Sequence, residues 1–379
     1  MQVPFFRHQL DSSWGADISA VLDTPFLTSA GVGRQVEGQL CDFFGLSHAF
    51  LTSSWTSGAI ATLLALDIGP GCEVIVPAMT FIATANVVEL VGARPVFADI
   101  DPQTLLLTPQ LVASALTPAT RAVIVAHLYG QMVDMAGIRA VLAHRPDVAL
   151  IEDAAHCFEG TRDGDPPGRW SDAAIFSFYA TKNVTCGEGG AIITRDAKLA
   201  EAIGQTRIHG MTAAAVDRFH ASSYRHWDME RLGTKANMPD LLAALLPRQI
   251  ASIRERLEQR HILAERYRQA FADTGLRLPR WEAGICHAQH LFPIWLPLAV
   301  RDQALSVLGE NGVGVTVNYR AVPHLSWYAG RYPQAAAQCP EAYRWGEGTL
   351  SLPFYPAMTD EQQTYVINVV RRSVLPLID

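Results

Sequence analysis

Residues Asp172–Arg195 read DAAIFSFYATKNVTCGEGGAIITR. Two runs with four or more apolar residues in succession, Asp172–Phe178 and Gly190–Arg195, flank a turn that holds Lys182 and the glycine-rich GEGG. Apolar runs of this kind suit strands covered on both faces. In open α/β sheets ligands bind beyond the carboxyl ends of the strands, which is where Lys182 and Ser177 fall. The stretch therefore predicts a mainly parallel sheet with a reactive amine at its edge.

The same texture extends outward. Glu73–Ala78, Arg94–Ile100, Arg121–Leu128 and Val148–Ala155 are further apolar runs, alternating with amphipathic segments in the pattern of βαβ units. In TSGAIATLLALDIG, Thr56 or Ser57 is expected to cap a helix and Gly69 to end it; TPQLVASAL reads similarly. After Pro239 a long Arg-rich amphipathic stretch, interrupted at Pro247, runs to Gly275 and leads into an α+β texture with a strand at HLFPIWLPL and a helix near DQALSVLGENG. At 379 residues the chain exceeds the usual limit of one growing core. We therefore expect an α/β protein with a large domain over residues 1–245, including the N-terminal segment, and a smaller domain over 246–379 entered through the long helix.

Bulk composition excludes several functions. Apolar residues make up 49% and charged residues 18%, with a net charge of -7; this describes a folded globular chain without a basic run to track nucleic acid or an anionic membrane. The opening MQVPFFRHQLDSSWGAD has no basic region followed by an apolar one, and no apolar run approaches a bilayer span, so a cytoplasmic protein is expected. The six cysteines contain no C-x-x-C pair, so no metal site and no disulfide framework is expected, and Cys186 reads as a packing residue.

The chemistry centres on two strand ends. Lys182 follows one, and Asp153 ends another in IEDAAH, so both are expected at one sheet edge with His156 nearby. A lysine that forms a Schiff base and a carboxylate that keeps a pyridine nitrogen protonated are what a protein contributes to pyridoxal phosphate chemistry. An anion site is offered by SSWTSGAI, where hydroxyls and a glycine lie at a predicted helix N-terminus. Phe81, just past Glu73–Ala78, suits stacking on a cofactor ring, though on composition alone such a phenylalanine is more often core.

These segments, with VIVAHLYGQMVDM, LGTKANMPDLLAALLPRQ and GVGVTVNYR, resemble the DegT/StrS family of sugar aminotransferases, which have the fold-type I pyridoxal phosphate architecture. The resemblance spans nearly the whole chain. It implies that Lys182 carries the cofactor and later acts as proton-transfer base, Asp153 pairs with the pyridinium nitrogen, and His156 lies near the 3-hydroxyl. It further implies that Phe81 stacks on the ring, that Thr56, Ser57 and Ser177 bind the phosphate, and that Asn237 reaches the phosphate in a neighbouring subunit. A homodimer with shared sites follows from that last match.

Within the family the chain is similar to enzymes that aminate a nucleotide-linked 4-keto sugar, the 4-amino-4-deoxy-arabinose type in particular. The resemblance implies glutamate as amino donor and a 4-keto-6-deoxy or 4-keto pentose acceptor. Tyr319, Arg320 and His324 are candidate substrate contacts. Two positions depart from the family pattern: Asn318 stands where histidine often precedes the tyrosine, and Trp55 stands where a small residue is common. An aminotransferase for an unlinked keto sugar or keto-cyclitol, and a non-catalytic sensor on the same fold, are the competing expectations. Retention of Lys182 argues against a dehydratase variant.

Overall fold

The computed structural model describes residues 1–212 and 226–378. In chain order the strands are β1 His48–Thr52, β2 Glu73–Pro77, β3 Arg94–Ala98, β4 Thr120–Ala126, β5 Ala149–Asp153, β6 Thr161–Arg162, β7 Ala173–Ser177, β8 Gly190–Thr194, β9 Ile285–Cys286, β10 Phe292–Trp295 and β11 Thr349–Leu352. Seven of them form one sheet in the order β1-β8-β7-β5-β4-β2-β3. All neighbours are parallel except β8, which runs antiparallel to both β1 and β7. This is the α/β architecture of fold-type I pyridoxal phosphate enzymes.

The six expected strands of this sheet are present, and β1 joins them. Its sequence, HAFLT, is short and opens on a histidine, so apolar succession does not single it out. Helices cover both faces. Against one, Leu63, Val87, Val112 and Ile138 pack on Ile75, Val123 and Ile151. Against the other, Val36, Leu40 and Phe44 pack on Phe158, Phe176 and Ile193, with ring centroids of Phe44 and Phe176 4.7 Å apart. Burying each such side chain contributes about 1.5–3 kcal/mol relative to exposure.

The long helix spans Pro247–Phe271, with proline tolerated in its first turn, after a short helix at Asp240–Ala243. From its last turns onward, Tyr267, Phe271, Phe292, Ile294, Leu350 and Val366 form a second core that also takes in Val3 from the other end of the chain. Residues placed in the smaller unit by the sequence do not all stay there: Val322, Tyr328, Ala342 and Trp345 pack into the core of the large sheet. Among the described residues no helix is long and apolar enough to cross a membrane, and no cluster of His, Cys, Asp or Glu is arranged to hold a metal ion.

The strand ends meet at Gly190. It pairs with Thr52 of β1 on one side and Ser177 of β7 on the other. A Cβ here would lie 2.7 Å from the Phe176 carbonyl oxygen, the Ser54 carbonyl carbon and the Trp55 nitrogen, all backbone atoms that cannot swing aside. Gly190, the last glycine of GEGG, is thus required by close approach, whereas Gly187 is required by its φ of +88°. Gly190→Ala is expected to cost about 1–3 kcal/mol through overpacking, lowering the thermal unfolding midpoint of the purified chain; an unchanged midpoint would show that the turn yields freely.

Candidate active site

A cavity of about 560 Å³ opens at the carboxyl edge of the sheet. Lys182, Asp153, His156, Ser177, Thr56, Phe81 and Tyr319 all line it. These are residues brought together from positions 56 to 319.

Asp153 is the last residue of β5 and is 8% exposed. Thr84 Oγ1 donates to its Oδ2 over 2.8 Å and the Ala155 N–H to its Oδ1 over 3.1 Å. Thr80 supports Thr84, one helical turn on, with 3.0 Å between the hydroxyls. Burial pushes the Asp153 carboxyl above its ordinary value, against the pull of these donors and of Lys182. A cation in contact with the carboxylate would offset that burial.

Lys182 follows β7 on a tight turn closed by its own N–H to the Tyr179 carbonyl, 2.9 Å. Burial lowers its pKa from 10.5 to about 8, with Asp153 opposing the shift. At pH 7 about a tenth of the amine is then unprotonated and nucleophilic, far more than at an ordinary lysine. It is one of three lysines in the chain; the other two, Lys198 and Lys235, are exposed.

The anion-binding wall differs in detail from the expected one. Helix Trp55–Ala65 is capped by Ser54, neither Thr56 nor Ser57: Ser54 Oγ accepts from the Ser57 N–H and Ser57 Oγ accepts from the Ser54 N–H, both at 3.0 Å. Ser57 also lies 2.9 Å from the Ser53 hydroxyl and is not on the cavity wall, while Ser54, Trp55 and Thr56 are. The helix ends at Ala65, before Gly69. Ser177 lines the cavity from the end of β7. The wall is thus a helix N-terminus ringed by neutral hydroxyls, an arrangement suited to a phosphate.

Phe81 is 52% exposed and stands 5.6 Å, ring to ring, from Tyr319 at the cavity mouth. His156 is buried, and burial together with Lys182 holds its pKa well below the ordinary value. Its Nδ1 accepts from the Tyr129 N–H over 3.2 Å, so the proton sits on Nε2, 3.2 Å from the Tyr319 hydroxyl. Asn237 is away from this chain's cavity; its Nδ2 donates to Thr28 and Ser29 hydroxyls at 3.1 and 2.6 Å.

Two expected substrate contacts are displaced. Arg320 pairs with Glu347 at 2.8 Å, and His324 stacks on Tyr343 with its Nε2 3.2 Å from the Ala336 carbonyl; neither lines the cavity. The chain turns away after Tyr319 because Val322 is buried in the large core and its N–H bonds the Ala78 carbonyl. Cavity residues not anticipated from the sequence include Thr80, His290, Thr181, Glu188 and Phe5. Only the i, i+4 spacing of Thr80 and Thr84 was a readable signal among the groups around Asp153.

If Lys182 has this depressed basicity, trapping a small aldehyde on it with a mild reductant in the cofactor-free chain should rise with pH through about 8, as the amine loses its proton. Mass spectrometry of the modified peptide checks this against Lys198 and Lys235; a profile centred near 10.5 for Lys182 would contradict the reading.

The family of DegT/DnrJ/EryC1/StrS aminotransferases matches residues 9–371. Among solved structures the chain is similar to DesV of S. venezuelae in complex with a ketimine intermediate, at 31% identity over 98% of each chain and a TM-score of 0.89. It is also similar to the aminotransferase TlmJ of Streptoalloteichus hindustanus, at 29% identity over 100% of each chain and a TM-score of 0.91. A structure assigned as a sugar aminotransferase of Streptococcus pneumoniae, in its PMP form, aligns at 25% identity over 100% of each chain with a TM-score of 0.93. The chain belongs to the DegT/DnrJ/EryC1/StrS aminotransferase family and is a pyridoxal-phosphate-dependent sugar aminotransferase.

Proposed function

We propose that the protein moves an amino group from glutamate to the 4-keto group of a nucleotide-linked sugar, of the 4-keto-6-deoxy or 4-keto pentose type, with Lys182, Asp153 and His156 as its catalytic residues. The observation that carries the site assignment is the pairing of one half-buried, weakly basic lysine with one buried carboxylate on a single cavity, beside an anion wall of neutral donors. The sugar and nucleotide rest on the sequence resemblance.

When bound, pyridoxal phosphate supplies an electron sink that lets an α-proton leave the substrate amine. Thr56 and Ser177, with the N-terminus of helix Trp55–Ala65, would hold the phosphate. Ser57 contributes through the cap that keeps the N-terminus in place. Asp153, kept in position by Thr84 and Ala155, would be the counter-charge to a protonated ring nitrogen. Phe81 would stack on the ring. Lys182 Nζ would be the base that takes a proton from the substrate carbon and returns one. A pKa of about 8 suits both directions of that transfer near neutral pH. His156 would lie beside the ring near its 3-hydroxyl, with its Nε2–H on the Tyr319 hydroxyl, and Tyr319 is the substrate-side neighbour.

The protein acts as a homodimer with shared sites, in the cytoplasm, and Asn237 serves the partner's cavity. Exposed Phe81, Ile82 and Tyr179 around the cavity mouth supply apolar surface for such a contact.

Glutamate with a panel of UDP- and dTDP-linked keto sugars, set against unlinked keto sugars and keto-cyclitols, tests the substrate. Amination of linked sugars is expected; activity confined to unlinked compounds would establish the alternative. Lys182→Ala is expected to abolish turnover and the visible absorbance of the protein with pyridoxal phosphate. Retention of both would remove Lys182 from its role.

A further inference from the structure

Behind one wall of the cavity lies a buried polar chain that the reaction as described does not use. Glu159, six residues past Asp153, is 7% exposed. Asn183, next to Lys182, donates from Nδ2 to Glu159 Oε1 over 2.6 Å and to the Ala288 carbonyl over 2.9 Å. Two acceptors against Nδ2 fix the orientation of this amide, so its Oδ1 must act as acceptor. His290 Nδ1 lies 3.0 Å from that oxygen and therefore carries the proton.

His290 lines the cavity at 3% exposure. Burial, with His156, Lys182 and Arg260, holds its pKa well below the ordinary value, so the ring is neutral and its Nε2 is a bare lone pair. Among the described residues no protein group bonds that nitrogen. The ring centroid is 4.3 Å from that of His156, with 37° between planes. His156 has the opposite tautomer, fixed by the Tyr129 N–H. The wall thus carries one imidazole presenting N–H and, in contact with it, one presenting a lone pair.

Nothing local to His290 enforces this. In the other tautomer its Nδ1 lone pair would face Asn183 Oδ1, acceptor against acceptor. Asn183 could relieve that by flipping, except that a flip would turn its oxygen toward Glu159 Oε1 and the Ala288 carbonyl. Glu159 and the Ala288 carbonyl together make the flip costly, and Glu159 is the one of the two that a side-chain substitution removes. The charged and titratable groups that face its carboxyl are Arg260 and Arg256 from helix Pro247–Phe271, Cys157 on its own loop and Cys286 of β9; Glu159 Oε2 is buried without a partner among the described residues.

We propose that Glu159 is a positioning residue that acts through Asn183 to lock His290 as its Nδ1–H tautomer, so that the cavity presents an acceptor at His290 Nε2 beside the hydrogen-bonded His156 and Tyr319, whose hydroxyl proton remains to donate. The wall would then recognise a ligand group able both to donate and to accept, as a sugar hydroxyl does at its one oxygen. The inference rests on the proposed reading that this cavity is the reaction site. The role asks only for an acceptor at the Oε1 position, which glutamine also supplies.

Full-length protein labelled with ¹⁵N-histidine, examined with and without pyridoxal phosphate, tests this through long-range ¹H–¹⁵N correlations of the ring nitrogens. In the wild type His290 is expected neutral with its proton on Nδ1; a proton on Nε2 would overturn the proposal without any variant. Glu159→Ala is expected to give mixed His290 tautomers and to lower kcat/KM for the keto acceptor about tenfold, the size of one net hydrogen bond. Glu159→Gln is expected to restore both. Asn183→Ala breaks the chain one link nearer and serves where Glu159→Ala does not fold. Tautomers unchanged in the alanine variants would also overturn the proposal. Lys182→Ala separates the two readings: failure of the Lys182 assignment shows in the visible absorbance, while the ring-nitrogen comparison stands by itself.

Discussion

The site depends on a carboxylate that the fold buries without a contacting cation. β5 ends in two acids, and strand geometry sends their side chains to opposite faces. Glu152 is fully buried but well supplied: His127 Nε2 lies 2.6 Å from one oxygen, and the Gly168 N–H and the Ser171 hydroxyl donate to the other. Asp153 receives a hydroxyl and one backbone N–H. The difference between neighbours is the functional statement. Glu152 is satisfied by the protein, whereas the charge on Asp153 is left for a cationic ring nitrogen to meet, and a buried carboxylate strongly favours such a partner.

Around that constraint positive charge is kept low. Lys182 is lowered toward neutral pH, His156 and His290 are held uncharged, and the anion wall uses hydroxyls and a helix end in place of arginine or a second lysine. A second permanent cation in so small a cavity would compete with the ring nitrogen for Asp153 and would depress Lys182 further. Neutral donors fix a phosphate by direction, leaving the charge balance of the cavity to Asp153 and the cofactor.

What could be read from the sequence follows from where chemistry meets regular structure. Asp153, Ser177 and Lys182 sit at or just past apolar strand runs, and strand ends in a parallel sheet converge by topology, so their meeting was legible. The helix cap was misplaced because SSWTS offers four hydroxyls in five positions, and choosing among Ser53, Ser54, Thr56 and Ser57 requires the backbone path set by Gly190 and Thr52. Arg320 and His324 follow Tyr319 in sequence, yet burial of Val322 turns them away. Glu159, Asn183 and His290 are separated by up to 131 residues, and no local pattern links them. Polar groups that act only through one another leave no periodicity to find.

Proximity of two cores explains why the Tyr319 wall is well placed without belonging to the sheet. The segment from Thr316 to Val322 is bonded at both ends: Thr316 exchanges hydrogen bonds with Ser351 of β11, and Val322 bonds the Ala78 carbonyl just past β2. In between, the Asn318 carbonyl accepts from the Tyr129 hydroxyl and from Thr349 Oγ1. The wall is therefore slung between the two hydrophobic clusters, with Tyr319 directed at His156 from a backbone pinned on both sides. Tyr129 has a second part in this arrangement, since its backbone N–H sets the His156 tautomer and its carbonyl accepts from the backbone N–H of His290. One residue thus orients the His156 imidazole, anchors the main chain at His290 and holds the carbonyl that precedes Tyr319. Replacing the Tyr129 hydroxyl would loosen the Asn318 carbonyl while leaving its backbone contacts to the histidines in place, which separates the placement of the Tyr319 wall from the tautomers opposite it.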